Sequence, residues 1–138
     1  MKKTGSQIEA DIYEIIRSSS LSAEISGVTY KEGTRPINSV KEDIVVNFLT
    51  GVDEDEFQEG FVNVNIYVPD IDNSGGGILV KDVARCSALE VLILALLESN
   101  SLSGDYLLRA AQTIKTFKEE SIKQHFINCK IKFRLSNL

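Results

Sequence analysis

The fold class this sequence predicts is α+β: a two-layer sandwich in which two helices pack on one face of a mainly antiparallel sheet. Three observations carry that prediction. Val62, Val64, Ile66 and Val68 share one face of a segment whose other face holds Phe61, Asn63, Asn65 and Tyr67, and a period of two marks a half-buried strand. The same alternation returns near the end, where Ile127, Cys129, Ile131, Phe133 and Leu135 interleave with Asn128, Lys130, Lys132 and Arg134. Ile8, Ile12, Ile15 and Ile16 recur at helical spacing, and residues 88–97 are apolar apart from Glu90, which calls for a second, deeply packed helix.

The elements follow in the order α-β-β-β-α-β-β. Helix one spans residues 6–19, with Glu9, Asp11 and Glu14 toward the positive end of its dipole. Ser18, Ser19, Ser20 and Ser22 read as the loop after it. A short strand over residues 25–30 rests on Val28 and Tyr30, and Gly33, Pro36 and Asn38 bend the chain. Residues 44–49 are β-branched or apolar apart from Asn47, and Gly51 closes that strand. It forms a hairpin with the strand of Phe61, joined by the acidic run Asp53, Glu54, Asp55 and Glu56. Pro69 cannot donate to a ladder and ends the second strand. Residues 70–77, with Gly75, Gly76 and Gly77, have the composition of a flexible loop. Helix two is expected over residues 79–99, enclosed either by the rest of the chain or by a neighbouring subunit. Residues 106–117 carry both helical and strand signals and are assigned a turn or helix through Ala110 and then a strand. The basic-faced strand of residues 127–135 completes the sheet.

At 138 residues the chain makes one domain, residues 1–138, large enough to need no covalent staple. Cys86 and Cys129 fall inside predicted elements and read as core residues, and two cysteines with one histidine supply too few ligands for a metal centre. The net charge of −5 argues against sequence-specific nucleic-acid binding, which takes clustered cations. Lys2 and Lys3 precede polar residues rather than an apolar leader, and no apolar run approaches the roughly 20 residues that span a bilayer. A soluble protein, made and used in the cytoplasm without a membrane partner, is the expectation.

No catalytic constellation is expected. The glycine loop lacks the Lys-Ser or Lys-Thr of a phosphate-binding loop. His125 has no recognisable nucleophile or base partner in sequence, and the acidic run lacks the pattern of a calcium loop, so it reads as a solvated hairpin tip. No cofactor is predicted. The exposed strand face is the more informative feature, since Asn63 and Asn65 between Phe61 and Tyr67 suit a surface that meets another protein.

The element order, the strand "QEGFVNVNIYVPD" and the C-terminal "EESIKQHFINCKIKFRLSN" together resemble the tail-completion or tail-terminator proteins of phages and prophage elements. The resemblance covers the chain from Ile8 to Arg134. It implies a non-enzymatic structural protein of the virion, a ring usually of six copies that caps the tail tube and joins it to the head. Its partners would be itself and other tail or connector proteins, with a cytoplasmic stage during assembly and a place in the virion afterwards. A ring needs one patch to meet a different patch on the next copy. The interface residues expected are Asp53, Glu54, Asp55 and Glu56, which either face Lys130, Lys132 and Arg134 of a neighbour or line a lumen where negative charge keeps passing DNA from sticking, together with Asn63, Asn65 and Tyr67 of the exposed strand face. The alternative is a small adaptor that docks a protein partner on that sheet face. An enzyme with a site assembled from distant residues has no motif in its favour.

Overall fold

The computed structural model describes residues 2–138. Helix α1 (Gly5–Arg17) opens with a capping box, in which the Gln7 backbone N–H donates to the Thr4 hydroxyl and the Thr4 N–H donates to the Gln7 side-chain oxygen. Ile8, Ile12 and Ile16 face the core. The serines that read as a loop contain a second, short helix, α2 (Ser20–Glu24), which buries Leu21. It stays against α1 because the Ser22 hydroxyl donates to the Ile16 carbonyl at 3.0 Å. Strand β1 (Thr29–Lys31) runs parallel to β2, and Thr29 points inward while Val28 is 54% exposed, the reverse of the alternation expected. The Thr29 hydroxyl is satisfied there by Ser22 at 2.7 Å.

Strand β2 (Asp43–Asp53) continues through Gly51 rather than ending at it, with a bulge between Phe48 and Thr50. Gly51 lies opposite Gly60 on β3 (Phe57–Pro69), and a Cβ on Gly60 would sit 2.0 Å from the Thr50 carbonyl oxygen. The two glycines therefore permit a close crossing of strands. The antiparallel β2–β3 hairpin is as the alternation predicted, and Val62, Val64, Ile66 and Val68 are buried.

The glycine segment is a small hairpin of β4 (Ile71–Asp72) and β5 (Leu79–Val80), so the following helix starts later than expected. Helix α3 (Val83–Ser99) begins where the Asp82 carboxylate accepts the Arg85 backbone N–H at 3.1 Å. Then come β6 (Leu102–Ser103), β7 (Tyr106–Ala110), β8 (Lys115–Glu119) and β9 (Gln124–Ser136). Residues 106–110, assigned a turn or helix from sequence, are strand because they pair with residues 131–135 of β9.

The large sheet runs β1-β2-β3-β9-β7-β6, with β8 also beside β9, so the architecture is α+β. Only the β1–β2 pair is parallel; the other pairs of this sheet are antiparallel. Strand β9 pairs with β3 along its whole length, and its other edge is divided between β8 and β7. The helices cover one face, where Ile8, Ile12, Leu89 and Ile93 join Ile66, Ile127, Cys129 and Phe133 in one core. The other face carries no helix among the described residues.

Candidate functional site

The arrangement leaves three surfaces uncovered, and α3 contributes the first. Cys86, Leu89, Ile93 and Leu97 recur at helical spacing and point into the core. Ala84, Ala88, Val91 and Ala95 recur on the opposite side and are exposed, flanked by Leu92 and Leu94; Val91 is 65% and Leu94 43% exposed. Glu90, the one charge in the middle of the helix, turns toward the sheet, where its carboxylate accepts the Thr116 hydroxyl at 2.7 Å. The solvent side of α3 is therefore uncharged from Ser87 to Ala95. The sequence required this helix to be covered nearly all round, and its own chain covers one side.

The second surface is the outer face of the sheet. Asn63, Asn65 and Tyr67 are half-buried there, and both asparagines are engaged within the chain, since the Asn128 side-chain N–H donates to Asn63 at 3.1 Å and to Asn65 at 2.8 Å. Tyr67 packs on Phe126, which stacks with Phe117. Burial raises the Tyr67 pKa. Cations lie over rings across this face: Lys130 on Phe61 at 4.6 Å, Lys115 on Phe117 at 5.1 Å, Arg35 on Tyr67 at 4.2 Å and Arg134 on Phe57 at 4.0 Å. Arg134 is also bonded to Glu59 at 3.0 Å, so of the three basic residues read from β9 it has a carboxylate of its own, while Lys130 and Lys132 have none among the described residues. Arg109 of β7 lies directly opposite Lys132 in register. With Leu107, Glu59 and Arg134 they line a groove of ≈ 480 Å³.

The third surface is the tip of the β2–β3 hairpin. Residues 49–53 of β2 are all exposed, and Asp53, Glu54, Asp55 and Glu56 form no ion pair among the described residues. Sequence reasoning found this run, Lys130 and Lys132. It missed Arg109 and Lys115, which lie on strands defined by pairing with β9 rather than by a local pattern.

The remaining candidates are engaged within the fold. The glycine loop's N–H groups point at its own Asp72, whose carboxylate accepts from Gly75 at 2.8 Å and Gly77 at 2.7 Å, with Gly77 the larger influence in holding that carboxyl below the usual range. Gly75 and Gly77 take φ of +76° and +81°, a region glycine enters without strain, and the segment is bounded by the β4–β5 pair. His125 bonds Asp70 at 2.7 Å and ties the start of β9 to the end of β3. The Tyr106 hydroxyl donates to Asp11 at 2.7 Å, and burial together with that bond pushes its pKa far up. Cys86 and Cys129 are buried thiols. Among the described residues no group of three or more His, Cys, Asp and Glu side chains is placed to hold a metal ion, and no helix is long and apolar enough to cross a membrane.

No family model matches the chain, and no curated protein matches it. A solved structure whose name describes no function is similar over 94% of this chain and 94% of its own, at 13% identity and a TM-score of 0.49, a likeness that carries no argument.

Proposed function

We propose that this protein is a non-enzymatic structural subunit that acts by assembling with copies of itself into a ring, in the setting the sequence resemblance implies: completion of a phage tail or its joining to the head. The observation that supports this reading is the bare side of α3. A helix on the surface of a monomer carries polar residues toward solvent, whereas here Ala88, Val91, Leu92, Leu94 and Ala95 face it. A contiguous apolar patch of that kind marks a contact surface. The uncovered helix face and the uncovered sheet face also lie on opposite sides of a two-layer molecule. Contacts that use two different patches are heterologous, and they close into a ring when the rotation between copies permits.

Negative-stain images of the purified chain at high concentration test the reading. Closed rings of uniform diameter are the expected result. Single small particles in every field would refute self-assembly and favour the second reading, an adaptor that docks a protein partner on the aromatic face of Tyr67, Phe126 and Phe117. That reading is weaker because the amides of Asn63 and Asn65 are already bonded to Asn128.

A further inference from the structure

We propose that the acidic tip of the β2–β3 hairpin of one copy docks into the basic groove on the outer sheet face of the next copy, an inference that rests on the ring reading and names its contact. The receiving surface suits an anionic partner by its register. Arg109 and Lys132 stand directly opposite one another on β7 and β9, and like charges so placed destabilise a sheet. Lys130 and Lys115 extend the patch, each held over a ring, at Phe61 and Phe117. None of these four residues has a carboxylate within ion-pair distance among the described residues. In a chain of net charge −5, unpaired cations concentrated around a groove are a local exception to the overall sign. An incoming anion relieves the Arg109–Lys132 repulsion and gains the attraction of the rest.

The occupant is a second copy because the complementary surface is on the same chain. Asp53, Glu54, Asp55 and Glu56 give four carboxylates to the four cations, and they too repel one another while unpaired. Within one copy the tip carboxylates make no ion pair with this groove among the described residues, although Glu56 and Arg134 line a common pocket. Lys130, opposite Asn63, lies six residue steps along β3 from Phe57 at the base of the tip, roughly 20 Å of extended strand, whereas Arg134 lies opposite Glu59, two steps from it. The exposed stretch of residues 49–53 and the tip beyond it form the docking arm, held against the end of β9 where the Asn137 N–H donates to the Glu56 carbonyl at 2.8 Å. Leu49 and Val52 on that arm and Leu107 in the groove supply apolar area beside the charges. Arm and groove are different patches, so the contact is head-to-tail.

The test is a charge swap read by mass and by affinity. One variant reverses the groove, Lys130→Glu with Lys132→Glu; a second reverses the arm, Asp53→Lys with Asp55→Lys; a third carries all four changes. Unfolding curves establish that each folds. Each single reversal is expected to weaken self-association by about tenfold or more, and the combined variant to restore it, because the sign of both patches has been exchanged. An equimolar mixture of the two single reversals should also assemble. Assembly of the wild type that neither reversal changes would overturn this contact and leave the ring reading standing. A wild type that never assembles would overturn both. A wild type that binds labelled oligothymidine, lost on groove reversal while the assembled mass is unchanged, would overturn the contact in favour of a nucleic-acid surface.

Discussion

The Asp43 carboxylate, 1% exposed, accepts from the Val28 backbone at 3.0 Å and from Arg35 at 2.9 Å, and the Ser39 hydroxyl also donates to it. Arg35 in turn donates to Gln124 at 2.9 Å and covers the Tyr67 ring, so one knot joins the loop before β2 to both β2 and β9. Removing one member of a buried pair strands the other. Asp43→Ala is predicted to lower the unfolding free energy by about 3–5 kcal/mol, read as a lower denaturant midpoint at unchanged slope. Gly60→Ala acts by a different route, since the new Cβ would meet the backbone at Thr50 and Gly51 rather than a yielding side chain. A loss of about 1–3 kcal/mol in the same measurement is expected. Nothing in the sequence around Gly60 indicated this, because the constraint comes from the strand laid across it. Burial pushes the Cys129 thiol up to about 12 and also raises that of Cys86. Above the ordinary thiol range of about 8.5 the unfolded chain releases protons that the folded chain keeps. Stability is therefore predicted to fall as pH rises from there toward about 12, and the slope to flatten in Cys129→Ala, although buried Tyr106 adds a loss of the same sign from about pH 10 upward.

At the scale of elements, the long strands were legible because one face of each is fully buried and the period of two survives along β3 and β9. The two-residue strands β4, β5 and β6 were not, since so short a segment has no period. Strand β7 was misread for a related reason: Tyr106 and Leu108 point inward and Leu107 and Arg109 outward, but adjacent Leu107 and Leu108 mask the alternation, and Ala110, Ala111 and Ile114 fit a helix equally well. Pairing with β9 decides it. Helix α3 was half legible, in that its apolar composition declared that something must cover it without saying what. Val91→Glu places a charge on its solvent side, so the monomer's unfolding free energy should move by no more than about 0.5 kcal/mol. The same substitution is predicted to reduce self-association if the helix face is covered in the assembly, and equal association of variant and wild type by sedimentation would remove α3 from the interface.

For the molecule as a whole, the candidate interface was legible where it depends on composition and illegible where it depends on register. The run of Asp53, Glu54, Asp55 and Glu56 and the basic side of β9 stand out in the sequence, whereas the Arg134–Glu59 pair and the Arg109–Lys132 repulsion exist only once β3, β9 and β7 are aligned. In the proposed ring each copy offers an uncharged helix face on one side, a basic groove on the other and an acidic arm to join copies. Light scattering behind size exclusion, over a wide range of loading concentrations, tests that most directly. A ring gives a step from monomer to one fixed multiple that further concentration does not exceed, as closure requires. A monomer at every concentration, or a mass that grows without limit, would contradict it.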